Sequence, residues 1–461
     1  MNVENKYNIN LDEIKIDFEI KNNSLRHKQC KKFKLLPYAA NEKTLVSNFN
    51  GVIGAFSRII SNKSLDKQFD FNEFIQDITD TVGEFEGDKS KSAFKSIVKS
   101  MFIDGEELIN FDIKTINYIA ASKSDEKVAN FLYSIFFNDE LELLVKKYYE
   151  DEVDNVLYKL VLGALPQLKD KQYNNEEYKC YLPFIRDLFI KDFKFIIQDQ
   201  QLYKSYLKRF LEYYYMFYVS QLAIKLNDFE KADLSKPDPL YYALNWESIS
   251  KNRIAYTRGW DNLKHRVESL FSHAITLELI NHSNLDEQLG YVELNQLFNQ
   301  CDEVQIEEQL DNLYTEYTSV ITDKSWVNFT ETNRQSGSKA FKKVYKLFEA
   351  IKYQFDKTTR SRANEAYNNW YVKFVFENFA KKRGNLGYNL NLTEDDIILM
   401  TKICINEEEK IKLNSLFKEF ENRGMFFDKD SRLKIVELYE KLNLLEKKSD
   451  SGDAQYVKSV L

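Results

Sequence analysis

LPFIRDLFIKDFKFIIQDQQLYKSYLKRFLEYYYMFYVSQLAIKL, residues 182–226, is the stretch around which the chain is organised. Leu188, Phe189, Phe193, Ile196 and Ile197, then Leu202, Tyr206, Phe210, Tyr213, Tyr214 and Phe217, recur at helical spacing. From Tyr213 to Ile224 the segment is apolar all round, and such a helix must be surrounded by protein or by lipid. The uncharged window between Glu212 and Lys225 is too short for a bilayer, which takes ~20 apolar residues. The tyrosine hydroxyls between Tyr206 and Tyr218 also need hydrogen-bond partners when buried. The segment therefore reads as the central helix of a soluble helical domain, and its aromatics as core.

The rest of the 461-residue chain agrees with a mainly α fold. It has only 13 Gly and 5 Pro, which favours long unbroken helices over strands and turns. Charges are abundant but mixed, with a net of -7, so nucleic acid would have to be met by a local patch. Cys30, Cys180, Cys301 and Cys404 lie far apart, which disfavours disulfides and zinc. No signal peptide and no membrane span is apparent, and a cytoplasmic location is expected.

Residues 1–42 read as an N-terminal arm. Ile14, Ile16, Phe18 and Ile20 alternate with polar residues as in a short strand, and RHKQCKKFKLLPY (Arg26, Lys28, Lys31, Lys32, Lys34) reads as a solvated basic face. Residues 43–235 form a helical domain beginning at Lys43, in which Gly51 and Gly54 mark close helix packing. Pro183 suits a first helical turn. KPDPL at 236–240 punctuates the chain, and residues 236–384 form a second helical region. Its last helix is expected over 360–380, ending in KKRGNLG with Lys381, Lys382 and Arg383 at its C-terminus and Gly384 as cap.

Residues 385–461 read as a winged helix-turn-helix, three helices and a closing β-hairpin. The first helix starts at Thr393, and the second carries Leu413, Leu416, Phe417 and Phe420. The third starts at an Asp430–Ser431 cap and presents Leu433, Val436, Tyr439 and Leu442. Two short alternating segments then flank Asp450-Ser-Gly-Asp453, a good turn sequence. Lys429, Arg432, Lys434, Lys447, Lys448 and Lys458 are the candidates for contact with DNA or a partner. From 423 to 461, eight positive charges face seven negative ones, so attraction to phosphate is weak and protein docking is an equal alternative.

Catalytic signatures are missing. There is no phosphate-binding loop, dinucleotide fingerprint, nucleophile elbow or zinc helix. His27, His265, His273 and His282 lack metal-pair spacing, and no cofactor is expected. Glu177-Tyr178-Lys179 matches the letters of a metal-dependent nuclease, without an evident strand pair upstream to hold Mg²⁺.

NWESISKNRIAYTRGW (245–260), LLEKKSDSGDAQYV (444–457) and the KLLPY segment resemble the DptG family. The resemblance implies a non-catalytic scaffold or adaptor subunit of a phosphorothioation-dependent DNA restriction system, an antiphage defence. It implies DptF-like and DptH-like partners that carry the ATP-dependent work. A nuclease subunit of that system, or a winged-helix DNA-binding regulator, are the alternatives. Within 245–260, Trp246, Arg253, Tyr256, Arg258 and Trp260 combine the residue types of interface hot spots, and buried structural roles are equally open to them.

Overall fold

The computed structural model describes residues 7–21, 24–30, 32–39, 45–105, 107–173, 177–331, 334–447 and 455–459. The first element among the described residues is a helix, α1 (Leu11–Asp17), where the alternation predicted a strand. Asn10 caps it by accepting from the Glu13 amide, and Ile14 and Phe18, four apart, are buried while Ile16 is exposed. IKIDFEI fits both periods, and the cap decides between them. The stretch after it keeps Arg26 and Lys28 exposed, as expected, but it is no free arm: Phe33, Leu35, Leu36 and Tyr38 enter the main core, and Trp370 stacks on Tyr38 at 5.5 Å. Lys31 and Lys43 lie outside the described residues.

α2 (Asn50–Ile60) is followed by β1 (Lys63–Ser64), α3 (Phe71–Val82), α4 (Asp88–Phe102) and the ladder β2 (Ile103–Asp104) with β3 (Glu107–Leu108). Then come α5 (Lys123–Phe136), α6 (Asp139–Glu150), α7 (Val156–Gly163) and β4 (Lys169–Asp170), which pairs antiparallel with β1. α2 lies directly against α5 and the turn before it. A Cβ on Gly51 would collide with Asp125, and one on Gly54 with the Ile119 carbonyl, so the predicted close approach is real. α3, α4 and α7 bury Phe74, Ile78, Val98, Phe102 and Val161 in a small core of their own.

The central stretch forms two helices, α8 (Pro183–Gln198) and α9 (Gln200–Asp228), and not one. Pro183 occupies the first turn of α8 as expected. Asp199 breaks the run and caps α9 by accepting from the amides of Gln201 and Leu202. Every residue from Phe210 to Leu226 is buried, Glu212, Gln221 and Lys225 included. The tyrosines find partners: Tyr213 donates to the Arg423 carbonyl at 2.7 Å, Tyr214 to Asp192 at 2.5 Å, and Tyr215 shares a hydrogen bond with Tyr38. Gln221 exchanges two hydrogen bonds with the backbone of Asp238, whose carboxylate meets buried Lys225 at 2.6 Å, so KPDPL is fastened to α9.

β5 (Ala243–Leu244), α10 (Ile254–Thr257), α11 (Trp260–Val267), α12 (Leu270–Asn281), α13 (Tyr291–Phe298), α14 (Glu303–Ser319), α15 (Lys339–Phe355) and α16 (Ser361–Asn378) continue the body. KKRGNLG is not a helix end. Ala380–Lys382 form β6, Gly384 lies in the turn, and Tyr388–Leu392 form β7, to which β5 adds in parallel. The expected boundary at 384/385 therefore falls inside a hairpin, and one hydrophobic core takes residues from all four expected segments.

The last part holds α17 (Glu394–Ile405), β8 (Lys410–Lys412), α18 (Leu413–Asn422), α19 (Lys429–Lys441), β9 (Leu445–Lys447) and β10 (Gln455–Lys458). The three strands form an antiparallel sheet in the order β8-β10-β9. α19 starts earlier than predicted, capped by Asp428 and not by Asp430–Ser431. Ser431, Ile435, Leu438 and Tyr439 face inward, and the expected Leu433 and Leu442 stand 53% and 41% exposed. The chain is thus mainly α with four small sheets among the described residues. No helix there is long and apolar enough to cross a membrane.

Candidate interaction surface

The residues singled out in 245–260 face inward more than outward. Trp260 is buried and meets Phe376 edge-on at 5.1 Å, while Trp246 and Tyr256 are half-buried. Arg258 is exposed. Arg253 is the hub of a buried network. It donates to Glu247 at 3.0 Å, to Ser431 Oγ at 2.8 Å, and through both Nε and Nη2 to Asp428. Ser431 in turn donates to Glu247 at 2.7 Å. Burial alone would raise the Asp428 pKa, but Arg253 and the amides of Ser431 and Ala255 hold it below the usual carboxylate value. NWESISKNR is therefore the socket for the N-terminus of α19. Arg383, expected at a helix end, joins the socket by donating to the carbonyls of Leu244 and Glu247.

Two further arginines complete the attachment. Arg209 on α9 grips Asp396 of α17 with a bidentate pair at 2.5 and 2.8 Å. Arg423, after α18, grips Asp192 of α8 at 2.7 Å on both nitrogens, with both side chains fully buried. Each helix of the C-terminal unit is thus pinned to the body by one arginine–aspartate pair. Sequence reasoning missed this. The available signal was Asp192, a carboxylate on the apolar face of α8 between Phe189, Phe193 and Ile196, where a buried charge demands a cation. Its partner lies 231 residues away and nothing local points to it. Gly424, at φ +79°, lets the turn rest on Phe217, which a Cβ would strike.

The outward face of α19 and the strands β9 and β10 carry the other candidates. Lys429 and Lys458 are exposed. Arg432 pairs with Glu421 at 2.6 Å and stacks over Phe417, Lys434 pairs with Glu437 at 2.6 Å, and Lys447 with Glu440 at 2.6 Å. Lys448 and the turn 450–453 lie outside the described residues. The face is thus close to charge-neutral, with Leu433 protruding from it.

The Glu177-Tyr178-Lys179 triplet is split. Glu177 takes Lys34 at 2.6 Å and Asn130, whereas Lys179 reaches Glu293 at 2.6 Å and the Gln288 carbonyl. The histidines are dispersed: His27 meets Tyr317 at 2.7 Å, and His273, which burial keeps in the neutral form, meets Tyr291 at 3.0 Å. His282 meets Asp17 at 3.1 Å, and exposed His265 lies beside Glu268. Among the described residues no group of three or more His, Cys, Asp or Glu side chains is arranged to hold a metal ion. No protein-family model and no curated protein matches the chain.

Proposed function

We propose that the protein is a non-catalytic scaffold subunit of a phosphorothioation-dependent DNA restriction complex, and that its C-terminal unit is a winged helix used for protein docking. The order helix, strand, helix, helix, strand, strand supports the winged-helix assignment. The observation that carries the docking role is the α19 face. Arg432, Lys434 and Lys447 already hold carboxylates, which leaves little net attraction for phosphate, and exposed Leu433 offers an apolar contact among them. The resemblance to the DptG family supplies the partners, DptF-like and DptH-like ATPases.

Co-expression and pull-down with those partners tests the assignment. Leu433→Glu should loosen the complex at least about tenfold, and the protein should stay folded because the side chain is exposed. The Lys447→Glu change should leave any DNA binding by the isolated chain unaltered. Loss of DNA binding in that variant would instead favour a DNA-reading wing. Mg²⁺-dependent cleavage by the purified chain, abolished by Glu177→Ala, would establish a nuclease and sink the scaffold assignment.

A further inference from the structure

A cleft of about 550 Å³ lies between α2, α5 and the residues Lys171, Gln172, Tyr173, Glu177 and Tyr178. Its volume falls in the range of small-molecule sites, roughly 300–1,000 Å³. At its base is Arg58, only 7% exposed. Nη1 of Arg58 donates to the carbonyls of Asn117 at 2.7 Å and Ile119 at 2.8 Å, which fixes the plane of the guanidinium. The N–H groups on Nε and Nη2 have no acceptor among the described residues, and Arg58 lines the cleft. A buried, immobilised arginine with the rest of its donor fork unused suits an oxyanion that accepts two hydrogen bonds at once.

The surrounding charges narrow the ligand further. Lys123 and Lys171 also line the cleft, and neither holds a carboxylate among the described residues; Lys171 lies over the Tyr173 ring at 4.7 Å. Two carboxylates are present. They are Glu126 and Glu177. Four lining cations (Arg58, Lys123, Lys127 and Lys171) against these two carboxylates leave two positive charges among the described lining residues. That matches a phosphate monoester above its second ionisation near pH ~6. A carboxylate would match half of it, and a bare phosphate would fill a small part of the space.

We propose that this cleft binds a phosphate monoester of nucleotide size, with Arg58 as the fixed fork and Lys123 and Lys171 as the flanking charges. The monoester has two sources, a free mononucleotide or the 5′-phosphorylated end of a nucleic-acid strand. The site is built from elements other than the α19 face, and it stands whether or not the scaffold assignment holds.

Calorimetric titration of the full chain tests it with AMP, adenosine, and a trinucleotide bearing either a 5′-phosphate or a 5′-hydroxyl. AMP or the 5′-phosphorylated trinucleotide should bind while adenosine and the 5′-hydroxyl strand do not, and the tighter of the two binders identifies the source. Binding should strengthen as pH rises through about 6, where the ester takes its second charge. Lys123→Glu and Lys171→Glu should each weaken binding by about tenfold or more, and Glu126→Gln should tighten it, because each acts through charge at the ligand. The first two side chains sit at the rim, so loss of folding is not expected and is checked by the thermal transition. If neither phosphate-bearing probe binds at millimolar concentration, or if binding is indifferent to both lysine reversals, the proposal is wrong.

Discussion

The C-terminal unit at 394–458 and the satellite made of α3, α4 and α7 both lie beside short strands, yet they join the body in opposite ways. The C-terminal unit shares the main hydrophobic core and is pinned by Arg209–Asp396, Arg253–Asp428 and Arg423–Asp192. The satellite closes a separate small core around Phe74, Ile78, Val98 and Phe102, and its ion pairs, such as Lys67–Glu73, are at the surface. Exposed pairs are worth ~0–1 kcal/mol, whereas breaking a buried one strands a charge. The first part should therefore melt with the body and the second should open by itself.

Removing the cation of the most buried pair should break this contrast most severely. Arg423→Met leaves Asp192 and the Tyr214 hydroxyl facing an apolar side chain, at a cost of about 3–5 kcal/mol. Denaturant unfolding should show one transition moved to lower midpoint, with the near-native signal of α8 and α9 lost together with that of α17–α19. Loss of the α17–α19 signal in a transition separate from that of α8 and α9 would mean that the C-terminal unit is independent after all.

A pH effect of somewhat smaller size concerns the N-terminal stretch, which a buried carboxylate ties to the body. Glu278 on α12 accepts from the Phe33 amide at 2.8 Å, and burial pushes its pKa from 4.5 up to about 7. Between those values the folded chain holds a proton that the unfolded chain has released. Raising pH through that window should therefore withdraw stability, by about 3 kcal/mol once pH 7 is passed. Glu278→Gln should flatten the slope of stability against pH from 4.5 to 7, and an unchanged slope would assign it to other groups.

The smallest change sharpens the other side of the comparison. Ile78→Val, in the satellite core, should cost about 1 kcal/mol. Hydrogen exchange should speed up in α3, α4 and α7 while α9 amides keep their protection. Uniform acceleration across both would show that the satellite is not a separate cooperative unit.

What the sequence made legible is what local spacing controls. The apolar run in α9, the tyrosines' need for partners and Pro183 in a first turn all depend on neighbours within a few residues, and Gly51 and Gly54 show at that range where another element can come close. Asp199 escaped because a cap inside a continuous apolar pattern does not interrupt the pattern. KKRGNLG was misread because basic residues followed by Gly satisfy a helix end and a hairpin alike, and only pairing with Tyr388–Leu392 decides. On α19 the expected face overlaps the real one at Val436 and Tyr439, and it departs at Leu433 and Leu442 because Ser431, Ile435 and Leu438 take the inward positions. The three arginine pins join residues 175–231 positions apart, and no periodicity reports on them. The basic residues of the candidate surface are legible, but the pairs Arg432–Glu421 and Lys447–Glu440 are set by how α19 packs against α18 and β9.

Asp396, Arg423 and Asp428 anchor three helices to three different elements of the body, so they act as bolts at separate points and leave no axis about which the C-terminal unit could swivel. A load placed on the exposed side of α19 passes through Asp428 to Arg253, and through α18 and Arg423 into α8. The chain would then transmit strain along its length as a strut does, and a severed C-terminal fragment would carry its bolts without their sockets.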